Sequence, residues 1–240
     1  MKNIRWEGPG DVPVLYRSPT INNPELSNVL PEGSWDGHPA VIVGGGPSLA
    51  GFDWKRLRRH RTIGVNLAFN FFDPTVTFSM DTRFLKWMQD GLYGPGVWER
   101  FLTRPAYRAW LLTYTATIPK GIHVIKVFRN YKWGLDHMSF SMENGLGHGN
   151  NSGFGALNLA VVLRANPIYL LGFDLKHGPA GESHFHKGHP QKQNPEALVR
   201  FRDKFAAQAP ELVKRGIRVI NLFPGSALRC FEFSTPEEAL

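Results

Sequence analysis

The chain has 240 residues, 42% of them apolar, enough for one sizeable core and too many for a disordered tail. Basic side chains outnumber acidic ones by 28 to 20, giving a net charge of +8 and a surface that attracts anions: a nucleotide donor, a nucleic acid or an acidic glycan all fit. No apolar run approaches the roughly 18 residues of a membrane span, the opening MKNIRWEGPGDVP has no signal-peptide core, and the single cysteine, Cys230, excludes an internal disulfide and a CxxC zinc site. The expectation is a cytoplasmic protein without a transmembrane segment, with Cys230 as a small core residue.

In chain order, residues 1 to 38 hold Pro9, Pro13, Pro19, Pro24 and Pro31 among few periodic apolar positions, which predicts an irregular arm wrapped on the domain that follows from 39 to 240. Ala40 to Val43 is a short apolar, β-branched run, as in a parallel strand covered on both faces. Gly44, Gly45 and Gly46 end it; they allow positive φ and close approach, Pro47 fixes the exit, and Ser48 can cap the next turn. Such a loop suits an anion, although a tight turn without a ligand reads the same way, and the pattern is neither GxGxxG nor a P-loop. The basic run Lys55, Arg56, Arg58, Arg59, His60 and Arg61 is either a solvated helix face or a phosphate contact. Arg61 to Asn66 and Thr75 to Met80 read as the second and third strands, placing Asn66 and Asp81 at the strand ends where open α/β sheets bind ligands. Asp81 suits a ribose or a divalent ion and equally suits capping a helix over 82 to 89.

Residues 91 to 122, with Trp98, Tyr107, Trp110 and Tyr114, read as a lid or acceptor surface, or as an aromatic cluster beneath a long loop; the insertion is drawn from 91 to 150. His123 to Phe128 reads as a strand, and Arg129, Tyr131, Lys132 and Trp133 after it interleave charge and rings in a way that suits bases and phosphates. Gly145, Gly147 and Gly149 lead into a helix with Ser152 as its N-cap and with Gly153, Gly155 and Ala156 keeping its first turns small, a second anion site. Pro167 to Phe173 is another strand with Asp174 at its end. The following loop carries His177, His184, His186 and His189, which fit a metal site with Asp174 or Glu182, a catalytic and phosphate-binding loop, or solvated side chains, and match no strong metalloenzyme signature. A helix over 196 to 214 and a last strand over 218 to 221 complete the pattern of an α/β domain.

The segments GGGPSL, FDWKRL, the strand ending in Asn66, NSGFGALNLAVVLRANPIYLLGFDL and KGHP together resemble the bacterial sialyltransferases that build lipooligosaccharide, and a related group of archaeal 6-hydroxymethylpterin diphosphokinases and uncharacterised phage proteins. The resemblance runs from about residue 39 to 233 and implies a mostly parallel, Rossmann-like sheet with helices on both faces, of the sialyltransferase type, a GT-A-like variant. It implies a nucleotide sugar as co-substrate and a hydroxyl acceptor, either a glycan or hydroxymethylated phage DNA, with no metal required. Asn66 matches a nucleotide-contacting asparagine, Ser152 and Gly153 lie beside the donor, and His189 of KGHP deprotonates the acceptor, with His184 and His186 as rivals. Ser226 and Phe231 match a closing segment. Two departures bear on the donor: Gly45 replaces a contacting asparagine, and Lys176 and His177 stand where tyrosines hold the leaving phosphate. The set for nucleotide and phosphate is therefore Gly44, Gly45, Gly46, Pro47, Ser48, Asn66, Asp81, Ser152, Gly153, Asp174, Lys176 and His177, with His189 catalytic. The alternatives are an ATP-dependent diphosphokinase with Mg²⁺ on Asp81 and Asp174, and a nucleotide- or DNA-binding protein without catalysis.

Overall fold

The computed structural model describes residues 23–113, 118–128 and 137–240. Short apolar runs bury both faces of one sheet. Its strands are β1 (Ala40–Val43), β2 (Arg61–Val65), β3 (Val76–Ser79), β4 (Tyr107–Leu111), β5 (His123–Ile125), β6 (Ile168–Leu171), β7 (Val219–Asn221) and β8 (Glu232–Phe233). All eight pair in parallel, in the order β5-β4-β3-β2-β1-β6-β7-β8. At the centre, Ile42 pairs with Ile63 on one side and Leu170 on the other.

Side-chain alternation along each strand feeds two layers. Ala40, Ile42, Ile63, Val65, Val76, Phe78, Ile168 and Leu170 face α3 (Ser152–Val162) and α4 (Pro195–Lys214). Val41, Val43, Leu171 and Ile220 face the opposite side, where 3-10 turns supply Leu49, Leu57 and Ala68. On that same side, α1 (Thr82–Gln89) and α2 (Val97–Thr103) pack on Trp110 and Val124. Helices thus cover both faces. The central helix α3 is buried from Phe154 to Val162, and its one polar interior residue, Asn158, is held by three hydrogen bonds: its Oδ1 accepts from Ser139 N at 2.9 Å and Gly147 N at 2.8 Å, and its Nδ2 donates to Ser139 O at 2.6 Å. A short helix α5 (Pro236–Ala239) ends the chain. No described helix is long and apolar enough to cross a membrane.

Several expectations change in detail. The stretch drawn as a lid or acceptor insertion, 91 to 150, contributes α2 and the sheet strands β4 and β5, because Ala109, Trp110 and Leu111 are buried against both layers. Trp98 and Trp110 belong to the core cluster on the α1 side rather than to a separate cover. Of the proline-rich arm, 23–38 is described: Leu26, Leu30 and Trp35 enter the α3-side core, and Asn23 Nδ2 donates to Pro119 O and Ile122 O. Pro9, Pro13, Pro19, Tyr114, Arg129, Tyr131, Lys132 and Trp133 lie outside the described residues. Cys230 is half-buried against the core, and burial pushes its thiol up to about 11.

Candidate functional site

The strand order fixes where a ligand can enter. The chain builds outward from β1 to β5 on one side, then crosses back to lay β6 against the other flank of β1. Loops leaving the carboxyl ends of β1 and β6 therefore diverge, and open α/β sheets bind ligands at such a switch point. A cleft of about 410 Å³ opens there, walled by the loops after β1, β2, β3 and β6 and by the start of α3.

The glycine loop after β1 is shaped by the protein itself. None of Gly44, Gly45 and Gly46 has a positive φ. A Cβ on Gly44 would sit 2.6 Å from Gly172 O, and one on Gly46 would overlap the Asp174 carboxylate, so at two of the three positions the protein's own neighbours require glycine. Gly44 N donates to Leu171 O at 2.8 Å and Gly46 N to Gly172 O at 2.9 Å. Among the described residues Gly45 N–H has no hydrogen-bond partner, which leaves it as the donor this loop offers to the cleft.

Asp174, expected as a nucleotide or Mg²⁺ contact, lines the cleft, is only 3% exposed and latches the loops of β1 and β6 together. Its carboxylate accepts from Ser48 N at 3.1 Å and from Ser48 Oγ at 2.9 Å. Burial raises its pKa while the Ser48 bonds pull it down. Ser226 steadies the same corner, its Oγ donating to Phe173 O at 2.6 Å and Asp174 O at 3.1 Å. Ser48 is thus spent on Asp174 and does not line the cleft. Neither does His177, whose Nε2 meets Gln193 O at 2.9 Å; Lys176 does line it, with its ammonium 5.8 Å from the Phe223 ring centre.

Asn66 lines the cleft in a left-handed conformation, φ 52°, which asparagine tolerates, and its Oδ1 accepts from Ser79 Oγ at 2.7 Å. Asp81 does cap α1, accepting from Arg83 N at 2.9 Å, and the Arg83 guanidinium grips both its oxygens at 3.1 and 2.8 Å. At α3 the cap is Asn151, whose Oδ1 accepts from Phe154 N at 2.9 Å; Ser152 is the first helical residue, since Gly149 and Asn150 both turn left-handed and set the entry one position earlier. The small residues of this turn serve packing: a Cβ on Gly153 would meet Phe173 at 2.8 Å and one on Gly155 would meet Phe78 at 2.9 Å. Ser152 and Gly153 still line the cleft, as do Gly44, Gly45, Gly46 and Pro47. The basic run from Lys55 to Arg59 is an exposed face of a 3-10 helix outside the cleft, with Arg56 3.9 Å from Glu237.

Three histidines gather on the cleft wall facing α1. Phe185 anchors their loop, its ring 4.7 Å from Phe71 and 5.4 Å from Trp54 and its N–H donating to Gly45 O at 3.1 Å. His189 stacks on His184 at 4.1 Å and 11°, and the rings of Trp87 and Tyr93 stand edge-on to it at 5.6 and 6.1 Å. Its Nδ1 lies 2.5 Å from Gln191 O and 3.2 Å from Gln191 N. A carbonyl only accepts and an amide N–H only donates, so the shorter contact calls for a proton on Nδ1, which would place the lone pair on Nε2, and the longer one calls for the other tautomer. Burial pushes His184 down to about 3 and also lowers His186 and His189, with Asp81 and the Gln191 carbonyl opposing it at His189. All three rings are neutral at pH 7. Among the described residues no group of three or more His, Cys, Asp or Glu is arranged to hold a metal ion.

Arg83, Trp87, Tyr93, Gln191 and Lys192 also line the cleft and escaped the sequence reading. Spacing from Asp81 places Arg83, Phe84 and Trp87 near one another on α1, but nothing local tells which face turns to a ligand. Among the described residues the Tyr93 hydroxyl is buried without a hydrogen-bond partner, and burial, then the nearby Asp81, raises its pKa.

No protein-family model matches the chain, and no curated protein matches it. Among solved structures the chain is similar to the MAf glycosyltransferase from Magnetospirillum magneticum AMB-1, at 16% identity and a TM-score of 0.49, over 87% of this chain and 37% of that one. The chain thus spans 37% of the length of that structure.

Proposed function

We propose that the chain transfers a sugar from a nucleotide sugar to a hydroxyl acceptor, with His189 as general base. The observation that carries this reading is the place of His189: an imidazole in a cleft at the sheet's switch point, its pKa lowered by burial and its Nδ1 turned to the Gln191 backbone. An acceptor hydroxyl is a poor nucleophile until its proton is taken. In the proposed step that proton passes to Nε2, the acceptor oxygen bonds the anomeric carbon, and the bond to the donor phosphate breaks with its electron pair going to the phosphate. Gly45 N–H, the first amides of α3 at Ser152 and Gly153, and the Lys176 ammonium are the groups that offset the charge developing there. Asn66 contributes its side-chain N–H₂ to the nucleotide, its oxygen being engaged by Ser79. The resemblance carried by GGGPSL, NSGFG and KGHP supports the same assignment.

The diphosphokinase alternative draws on Asp81 and Asp174 as Mg²⁺ ligands, and these residues do not fit that ion. Asp81 is chelated by Arg83, and Asp174 is buried on Ser48. Thermal shift with CMP, UDP, ATP and nucleotide sugars, each with and without Mg²⁺, tests the proposal. We expect stabilisation by a nucleotide sugar, independent of Mg²⁺. Stabilisation by ATP alone, and only with Mg²⁺, would establish the diphosphokinase in its place.

A further inference from the structure

The loop bearing His189 meets the glycine loop through two residues. Phe185 N–H bonds Gly45 O at 3.1 Å, and His184 lies so near that a Cβ on Gly45 would stand 3.1 Å from its Cδ2. The same His184 ring lies parallel to His189 at 4.1 Å, while Trp87 and Tyr93 stand edge-on to His189. The His184 ring therefore touches both the proposed donor loop and the proposed base.

We infer that His184 is a positioning residue: its ring carries the position of the glycine loop to His189 and shields the base from water, without exchanging a proton itself. The inference rests on the reading of His189 as base. His184 makes a poor base on its own account, because burial leaves it holding a proton only in strong acid. Its contribution is a flat, apolar-like surface that fixes the plane of its neighbour and removes solvent from one side of it. The other groups facing His189 are Asp81 and Arg83 from the start of α1, Tyr93 and Trp87 after them, and His186 and the Gln191 carbonyl from its own loop. Asp81 raises and Arg83 lowers the His189 pKa, and the two are ion-paired with each other rather than with His184.

The test is an NMR titration of the His189 ring in the protein without substrate, joined to steady-state kinetics once a donor is in hand. His184→Ala should admit water, raise the His189 pKa toward the ordinary imidazole value of about 6.5, and lower kcat by about ten- to a hundredfold with donor KM nearly unchanged. His184→Phe keeps the stacked ring and should restore most of both losses. Gly45→Ala, which presses on His184 but does not reach His189, should shift the His189 resonances. An unmoved His189 titration in His184→Ala, or unmoved His189 resonances in Gly45→Ala, overturns the inference; so does a His184→Phe variant as slow as His184→Ala, which would make a ring nitrogen of His184 the working group. Turnover retained in His189→Ala would overturn the base assignment itself, and the substrate-free titration distinguishes that failure from loss of the His184 contact.

Discussion

Gly46→Ala is the sharpest probe of how the cleft is held open. The backbone at Gly46, φ −64° and ψ 150°, is ordinary for alanine, so the substitution alone would stabilise by roughly 0.4–1 kcal/mol through the unfolded chain. Against that, the new methyl would overlap the Asp174 carboxylate and stand 2.6 Å from Gly172 O. Both neighbours are backbone or buried, so the loop must move, at about 1–3 kcal/mol for overpacking. Movement also breaks the Asp174 bonds to Ser48 N and Oγ, each about 1.5–3 kcal/mol for an ionised acceptor. These terms overlap, and the net expectation is a loss of ~3 kcal/mol, or a Tm lower by roughly 6–12 °C for a chain of this size. Gly45→Ala, which meets only His184, should cost under about 1 kcal/mol. Urea unfolding of both variants and of Ser48→Ala measures the difference. A Gly46→Ala protein with the parent's midpoint would show that Asp174 does not latch this loop, and would return Asp174 to the pool of ligand contacts.

Other outcomes follow from the same geometry. His189→Ala should reduce turnover by about 10²–10⁴-fold with donor affinity nearly unchanged; equal losses in binding and rate would place the base elsewhere. Acidification should destabilise the fold: below about pH 6.5 the unfolded chain protonates His184, His186 and His189 before the folded one does, costing up to about 1.4 kcal/mol per pH unit for each, less solvent screening, and for His184 the window extends to about pH 3. His184→Phe should therefore lose less stability than the parent between pH 7 and pH 4.5, and an identical pH dependence would contradict the buried neutral ring. Removing Arg56 and Arg58 should leave nucleotide binding unchanged, because that face lies outside the cleft, whereas a marked loss would bring the run into the site. If DNA is the acceptor, its KM should rise steeply with salt; a salt-independent KM favours a small glycan.

The sheet was legible locally wherever a strand is buried on both faces: Ala40 to Val43, Ile63 to Val65 and Ile168 to Leu171 are short runs without charge, bounded by glycine, threonine, asparagine or proline. The strand β4 was not, because Tyr107 and Arg108 stay partly exposed and its burial depends on α1 and α2, residues that sequence does not bring near. Two-residue β8 carries no periodicity at all. For the site, the sequence determined that glycine-ended strands would put Gly44–Gly46, Asn66 and the Ser152 helix at one sheet edge, and that histidines would follow β6. Which of these face a ligand was a tertiary matter. Asp174 lies 126 residues from Ser48 in sequence, and their bond, which latches two loops at the cleft, has no local signal. The pairing of His184 with His189 across 4.1 Å, and of His189 with Trp87 on α1, likewise arises only when the β6 loop folds back against α1 and the turn after β2. Local pattern selects strands and caps because those depend on neighbours along the chain, whereas the charge state and orientation of a site side chain depend on what distant segments pack against it.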